Sequence, residues 1–378
     1  MLQGVDRFNA MLVLAVLGSS ALLLLKRLAH LTSIGGGEFQ HADWLLNYSD
    51  GIVRRGISGE IFLALSQLTD ISPLLLVTAV QAVLTVGLIG VLLLKAYTFR
   101  MSDLTALLLL SPALVLFWVN DTTGAYRKEL LGLTAFVPLL FHRTSTALGV
   151  AVMLVLYTTA VFFHEGNLVF APALTFALLI RFGTTRTMKS ATALLWGISA
   201  VAVVFSLIFK TVPDSAGMCQ RILDAGLSET LCGGIFTWMV EGAVVDPVSA
   251  VVLNNEEVSL PLVALLIVLL LLPCLWIARS VVQTRSEWLY LAISSGTIFL
   301  LYPLATDWSR WLSMQIFVLT FLILMLAERR GRLERPVSKP LFALMLAFFL
   351  GVGIDQITPM PLSGFVFNFF DAIGAVLS

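Results

Sequence analysis

Long apolar segments recur along almost the whole chain, separated by short polar stretches. Each is close to the roughly 20 residues that a helix needs to cross the hydrocarbon core of a bilayer. Because backbone polar groups at that depth must be satisfied within the segment, helices are the expected structure. We interpret eleven segments as spans: 8–25, 72–94, 104–119, 125–141, 146–163, 166–180, 191–209, 261–278, 288–304, 311–327 and 340–354. The sequence therefore predicts an all-α, polytopic integral membrane protein.

A twelfth apolar segment, 361–377, is interrupted by proline, glycine, asparagine and aspartate. We expect it to lie in the membrane interface or to re-enter the membrane rather than to span it. This gives 11–12 transmembrane helices in a single domain over residues 1–378. The polar stretches are too short for a separate soluble domain. No cleavable signal peptide is evident, so the first segment is predicted to be retained.

The distribution of basic residues predicts the orientation of the chain. With the N-terminus in the cytoplasm, the inner segments are 1–7, 95–103, 142–145, 181–190, 279–287 and 328–339. They hold fourteen of the twenty-three Lys and Arg residues, as the positive-inside rule requires. Loops 26–71 and 210–260 then lie on the outer face. Cys219 and Cys232 in the second loop can form a disulfide there, or remain as two unpaired thiols.

Charge and motifs exclude several classes of function. Charged residues make up 12% of the chain and the formal net charge is zero, so the basic surface that nucleic-acid binding needs is missing. The sequence contains no HExxH motif, no paired-cysteine spacing, no Walker A loop and no G-x-S-x-G elbow. We therefore expect no metal site and no cofactor.

Four polar stretches stand out on the predicted outer face: 41–62, 120–129, 164–167 and 306–311. The first is the most polar run of the chain, and each joins or opens a span. Charges beside a bilayer are costly unless they pair or serve a function. A carrier would more often place them around broken helices near the bilayer centre. Convergence on one face therefore predicts chemistry at the boundary between membrane and water.

The residue types in these stretches are suited to holding a phosphate and moving a proton. Arginine forms two geometrically fixed bonds to phosphate oxygens, and a carboxylate or histidine can take the proton of an attacking hydroxyl. Substrate-binding roles are predicted for Arg54, Arg55, Arg127, Lys128, Asp307, Arg310, Trp308 and Asp121. The catalytic candidates are Glu165, His164 and Asp50.

Each candidate also has a purely structural interpretation. Arg54 and Arg55 can anchor the interface or pair with Asp50 and Glu60. The 164–167 stretch can be a helix cap, and Asp307 can pair with the arginine three residues later. Trp44, Trp308, Trp311 and Tyr126 offer faces for sugar rings, although an aromatic belt at the interface is the commoner use of tryptophan.

In topology and in the type of these polar stretches, the chain resembles the Wzy-like and EpsG-like polymerases of bacterial O-antigen and exopolysaccharide. The resemblance covers most of the chain, but the loops are short for that group. It implies joining of polyprenyl-diphosphate-linked glycan repeat units on the periplasmic face of the inner membrane, without a metal. Glu165 or His164 would activate the acceptor hydroxyl. The diphosphate would be held by four arginines, namely Arg54, Arg55, Arg127 and Arg310.

The chain also resembles the GT-C glycosyltransferases, helical-bundle enzymes that use polyprenyl-phosphate sugars. Their acidic residue in the first outer loop would correspond to Glu38, Asp43 or Asp50. Their helix along the membrane would correspond to segment 57–68, which has an apolar face. A paired Asp-Asp or Asp-x-Asp is absent. The spread of the arginines over three stretches favours the polymerase.

Two further classes stay open. A flippase or transporter of a lipid-linked glycan would use the arginines to guide a head group, and it predicts a charged path that reaches the cytoplasmic side. A structural component of a secretion complex would need them for assembly. For the enzyme, the expected partners are the polyprenyl-linked donor, a glycan acceptor, membrane lipid, and a chain-length regulator or other assembly proteins.

Overall fold

The computed structural model describes residues 7–98, 102–141, 146–240, 260–303, 307–330, 337–355 and 361–377. Within these ranges the chain is mostly helical. The helices are α1 (Arg7–Ser33), α2 (Ala42–Leu45), α3 (Gly56–Thr69), α4 (Pro73–Thr98), α5 (Asp103–Leu109), α6 (Val115–Asn120), α7 (Glu129–Thr134), α8 (Val137–Phe141), α9 (Thr146–Phe163), α10 (Ala171–Phe182), α11 (Arg186–Ile208), α12 (Ala216–Asp224), α13 (Ile235–Trp238), α14 (Leu260–Val281), α15 (Arg285–Gly296), α16 (Trp308–Arg330), α17 (Lys339–Gly351) and α18 (Phe365–Leu377). Strands β1 (Val352–Ile354) and β2 (Pro361–Ser363) form one antiparallel pair.

Six helical segments among the described residues are long and apolar enough to cross a membrane, as in a multi-pass membrane protein. They are α1, α4, the segment Glu165–Phe182 that contains α10, and α11, α14 and α16. Helix α9 has the predicted bounds 146–163 but is not one of these six, and the remaining predicted spans are shorter or broken. Six such helices are therefore found among the described residues, where eleven were predicted. The predicted inner loop 142–145 lies outside the described residues, as do residues 331–336 of the basic run 328–339 and residues 241–259 of loop 210–260.

Two predicted spans are wrong as continuous helices, and both break next to a proline. Segment 104–119 consists of α5 and α6 with Pro112 between them, and segment 125–141 consists of α7 and α8 with Pro138 near the start of α8. Proline lacks a backbone N–H, and its ring clashes with the carbonyl four residues earlier. Such breaks are tolerated at membrane depth only inside protein. Accordingly, every residue of 104–119 is buried.

The C-terminal third also departs from the predicted spans. In segment 288–304, α15 ends at Gly296 and a 3₁₀ helix, Thr297–Leu301, follows. Segment 340–354 is not one span, because its last residues leave α17 and pair as β1 with β2. Segment 361–377 is short β2 followed by α18, which packs on α17, α1 and α6.

Helix α16 is the centre of the bundle. It is buried from Trp308 to Ala327 and contacts α7, α10, α14 and α15. A helix that is apolar all round is expected to be enclosed by other helices or lipid. Its first turn carries Arg310, so α16 fixes one end of the polar stretch 306–311 in the middle of the bundle.

The two long loops pack on each other. The Asp50 carboxylate accepts hydrogen bonds from the backbone N–H groups of Gly217 (3.1 Å) and Met218 (2.6 Å) at the start of α12. Glu60 pairs with Arg221 of the same helix. A disulfide joins Cys219 to Cys232, with 5.3 Å between their Cα atoms. The described part of the second loop, 210–240, is therefore held against the first one.

Gly59 allows α3 to approach α2. A Cβ atom at this position would lie 2.0 Å from the carbonyl oxygen of Leu46 and 2.5 Å from that of Leu45. Backbone atoms cannot move aside as a side chain can, so Gly59→Ala should destabilise the protein by about 3 kcal/mol, the upper end of the usual cost of overpacking. Thermal unfolding in detergent measures this change. Gly87→Ala in α4, where nothing lies within 4 Å, is the matched control and should be neutral; equal melting temperatures would contradict the close contact.

Candidate functional site

Ten ionisable side chains from all four polar stretches meet in one buried group, which we call the charged cluster. Its members come from loop 26–71, the start of α7, the turn after α9 and the start of α16. They are Asp43, Arg54, Arg55, Arg127, Lys128, Glu129, His164, Glu165, Asp307 and Arg310. The sequence prediction that these stretches converge is therefore confirmed for the residues that the structure describes.

Asp43 and Lys128 form a deeply buried ion pair in the charged cluster. The Lys128 Nζ is 3.5 Å from Asp43 Oδ1 and donates a hydrogen bond of 3.2 Å to the carbonyl of Arg55. Burial lowers the pKa of Lys128 to about 8 even though Asp43 opposes that shift. Burial also raises the pKa of Asp43, but the cations Lys128 and Arg55 together bring it below its usual value. Asp43 is therefore ionised and serves as a counter-ion.

Glu165 is held by two arginines. Arg55 donates two hydrogen bonds to its carboxylate (2.8 and 2.5 Å), and Arg54 Nη1 lies 3.1 Å from Oε1. Both of its oxygens are therefore engaged by guanidinium groups. A carboxylate whose negative charge is stabilised in this way is a weak proton acceptor. The geometry disfavours the predicted role of Glu165 as the base and gives it a structural role in orienting Arg54 and Arg55.

His164 is enclosed from both sides. Its Nδ1 accepts a hydrogen bond from the Gly166 N–H at 2.9 Å, and its Nε2 lies 3.5 Å from Glu129 Oε1. Burial, followed by the charge of Arg55, lowers the pKa of His164 to about 4, so the ring is neutral at physiological pH. In a neutral imidazole one nitrogen donates and the other accepts. The proton is therefore on Nε2 and faces Glu129, which leaves no free ring nitrogen to act as the predicted base.

Arg310 links Glu129 to Asp307. Its Nη2 lies 2.7 Å from Asp307 Oδ2 and 3.6 Å from Glu129 Oε1. The guanidinium stacks on the Trp311 ring, 4.5 Å from the centroid. The structural pairing with Asp307 is thus present, but Arg310 also reaches toward a second, more deeply buried carboxylate.

Arg127 differs from the other four cations of the charged cluster. It is 7% exposed, and no hydrogen bond or carboxylate within 4 Å is found for it among the described residues. Its nearest partner is the face of Phe39, 5.2 Å from the ring centroid. Burial and the nearby Arg310 lower its pKa to about 10, which still leaves it charged at neutral pH. With His164 neutral, the cluster has five cations and four carboxylates, and hence one surplus positive charge.

The backbone on the N-terminal side of Arg127 is firmly fixed. Tyr126 has φ +61°, a left-handed conformation that is rare for a residue with a side chain. Its carbonyl accepts hydrogen bonds of 2.9 Å from both Trp44 Nε1 and Gln81 Nε2, and its hydroxyl donates to the carbonyl of Leu24 at 2.7 Å. Three segments therefore fix the peptide that carries Arg127. Backbone strain of this kind tends to occur where a side chain must be aimed at a ligand.

A small cavity adjoins Arg127, Glu129 and Arg310. Trp118 and Phe317 form part of its apolar wall, and its volume is about 20 Å³. This is room for about one water molecule or one hydroxyl group. Several buried polar atoms of the lining residues have no hydrogen-bond partner among the described residues, namely Nε of both arginines, the Ser313 hydroxyl and both Glu129 carboxylate oxygens.

Three predicted site residues lie elsewhere. Asp50 caps α12, and Asp121 accepts from the Thr123 N–H (2.9 Å) in its own turn. Trp308 donates its indole N–H to the Tyr302 carbonyl at 2.8 Å and lines an apolar groove beside α14. Asp121 and Trp308 bind backbone groups within six residues, whereas Asp50 binds the start of α12, 167 residues away. The sequence offered no means of separating these three residues from the charged cluster.

The aromatic side chains proposed as sugar platforms are buried. Trp44 is fully enclosed and meets Phe62 and Phe163 edge to face. Tyr126, Trp308 and Trp311 are also buried. Among the described residues, no group of three or more His, Cys, Asp or Glu side chains is arranged to hold a metal ion.

Glu129 was not among the predicted site residues. The signal that could have found it is its position directly after Arg127 and Lys128 in the polar stretch 120–129.

Comparison of the chain with protein families, curated proteins and solved structures finds no match.

Proposed function

We propose that the protein is a membrane glycosyltransferase of the polymerase type, which joins polyprenyl-diphosphate-linked glycan units without a metal. The observation that carries this proposal is Arg127, a buried cation with no carboxylate within 4 Å among the described residues, next to Arg310 in a cluster with surplus positive charge. A buried charge without a close partner is costly, and the carboxylates of Asp307, Asp43 and Glu129 offset that cost only from a greater distance. An anionic ligand would remove that cost when it binds.

Phosphate is the anion that this arrangement suits. Guanidinium groups bind phosphate oxygens through two parallel hydrogen bonds. Arg127 and Arg310 both have an unbonded Nε, and they come from different segments, so they can hold two oxygens from different directions. In a transfer reaction the same groups would stabilise the negative charge that develops on the leaving diphosphate. The apolar helices around them would accommodate the polyprenyl tail.

The confinement of charge to the ends of α16 favours chemistry over transport. Arg310 is in its first turn, and at its other end Glu328 pairs with Lys95 (2.9 Å) and Arg181 (3.6 Å). The two groups are about 27 Å apart along the helix axis. No residue of α16 between Arg310 and Glu328 is ionisable. A transporter of a charged head group would need polar groups along that path.

We place the charged cluster on the periplasmic side of the bacterial inner membrane, with the N-terminus in the cytoplasm. The support is the excess of Lys and Arg in the predicted inner segments. The disulfide between Cys219 and Cys232 is consistent with an oxidising compartment on the side of loop 210–260.

A GT-C glycosyltransferase with a polyprenyl-phosphate donor is the second candidate. Of the three acids proposed for that reaction, only Asp43 lies in the charged cluster, 3% exposed and within 4 Å of Lys128 and Arg55. Asp50 caps α12, and Glu38 packs beside Gly233 and Gly234. A first-loop acid at the site is the feature that this class would require.

Reconstitution of the purified protein in lipid distinguishes these functions. Two donors are supplied, one diphosphate-linked and one monophosphate-linked, each with and without a chelator. Growth of glycan chains from the diphosphate donor, unaffected by the chelator, is the expected result. A single addition from the monophosphate donor would replace the polymerase by the GT-C enzyme. Passage of the lipid-linked glycan across the bilayer without chemical change would overturn both.

A further inference from the structure

The cavity beside α7 has walls of two opposite kinds. Arg127 and Arg310 contribute hydrogen-bond donors without acceptors, and Glu129 contributes acceptors without donors. Buried polar groups are normally hydrogen-bonded, so each exception calls for an explanation. A hydroxyl group in this cavity would donate to Glu129 and accept from an arginine, and a phosphate held by the same arginines would lie beside it. A glycosyl phosphate together with the hydroxyl of a second sugar has this chemistry.

Glu129 is distinguished among the four carboxylates of the charged cluster. It is the one whose two oxygens are both buried and accept no hydrogen bond from any described residue. Glu165 is held by two arginines, Asp307 by Arg310, and Asp43 lies against Lys128. Glu129 has only longer contacts, 3.5 Å to His164 and 3.6 Å to Arg310.

We infer that Glu129 is the catalytic base of the proposed transfer. This inference rests on the proposed function. The acceptor hydroxyl occupies the cavity, whose volume of about 20 Å³ matches one such group. Glu129 lines this cavity, and neither of its carboxylate oxygens accepts a hydrogen bond from a described residue, so either can take the proton.

The proposed transfer forms one bond, breaks one bond and moves one proton. The hydroxyl oxygen attacks the anomeric carbon and forms the new glycosidic bond, while its proton passes to the Glu129 carboxylate. The bond from the anomeric carbon to the phosphate oxygen breaks, and the electron pair leaves with the polyprenyl diphosphate. Arg127 and Arg310 hold that anion. Glu129 then releases its proton to water before the next cycle.

The charges around Glu129 favour its role as a base only when the donor is bound. In the free protein, Arg310 and Arg127 stabilise its ionised form, which weakens it as a base. Phosphate groups that bind these arginines would neutralise them and restore the basicity of the carboxylate. Proton transfer would then be coupled to donor binding, so the base becomes effective when a substrate is in place.

Separate measurements of donor binding and sugar transfer test the inference. Glu129→Gln keeps the shape and removes the proton acceptor. We expect a transfer rate lower by roughly 100-fold or more, the usual contribution of a general base. Donor affinity should be unchanged or higher, because a negative charge next to the phosphate is removed. Glu60→Gln, which changes a carboxylate that pairs with Arg221 outside the charged cluster, is the matched control and should transfer at the wild-type rate.

Chemical rescue separates a catalytic role from a structural one. Glu129→Ala leaves space for a small carboxylate, and formate should restore part of the lost transfer while having no effect on the wild type. A Glu129→Gln variant that transfers within tenfold of wild type would overturn the inference, and so would a folded Glu129→Ala variant that formate does not rescue. Wild-type protein that binds no diphosphate donor would instead overturn the proposed function.

Discussion

Arg127→Met should weaken donor binding strongly without weakening the fold. The lost hydrogen bonds between a guanidinium and a phosphate should cost about 2–3 kcal/mol, which is roughly 30- to 150-fold in Kd. The methionine side chain fills similar space and keeps its contact with Phe39. Because Arg127 has no carboxylate within 4 Å among the described residues, its removal leaves no closely paired carboxylate without its partner. The melting temperature should therefore stay constant or rise.

A loss of donor affinity without a loss of stability distinguishes a binding residue from a structural one. A residue that serves the fold loses both together, whereas a residue kept for a ligand loses only binding. Arg186→Met, an exposed residue at the start of α11, is the matched control and should change neither. Arg127→Lys should restore little affinity, because an ammonium group lacks the two-pronged geometry. Wild-type affinity in Arg127→Met would remove the main support for phosphate recognition.

The convergence of the polar stretches could be predicted from the sequence because it depends on membrane physics. Charged runs at the ends of apolar helices must avoid lipid, and alternating helices bring alternate ends to one face. Arg54, Arg127, Glu165 and Arg310 could therefore be expected on one face of the membrane. Their pairing could not be predicted, since it depends on distances of a few ångströms that no pattern along the chain encodes.

The partners of the charged residues and the breaks in the helices could not be predicted in this way. The structural interpretation of Arg54 and Arg55 paired them with Asp50 and Glu60, but they pair with Glu165 more than a hundred residues away. Asp50 and Glu60 instead bind α12. Pro112 and Pro138 are visible in the sequence and mark the two broken spans. Hydropathy alone does not detect these breaks, because the residues on both sides of each break are equally apolar.

Glu165→Ala is expected to destabilise the protein strongly, in contrast to Arg127→Met. It would leave Arg54 and Arg55 next to each other, both mostly buried and without their shared carboxylate. Removing one partner of a buried ion pair typically costs 3–5 kcal/mol. These side chains keep some exposure, between 16% and 25%, so we expect about 3 kcal/mol, at the low end of that range. Thermal unfolding in detergent should show a fall of several degrees.

The appropriate comparison is with an ion pair that is more exposed. Glu60→Ala breaks the pair with Arg221, whose side chains are 28% and 32% exposed, and should cost about 0.5 kcal/mol, as for surface pairs. Replacing both Arg55 and Glu165 with Met should lower the free energy of unfolding by less than the sum of the two single changes. In the double variant Asp43 still pairs with Lys128, and only one arginine lacks a partner instead of two. If Glu165→Ala proved no more damaging than Glu60→Ala, the two arginines would not depend on Glu165 for their placement. They would then be free to bind phosphate themselves, as the resemblance to the polymerases first implied.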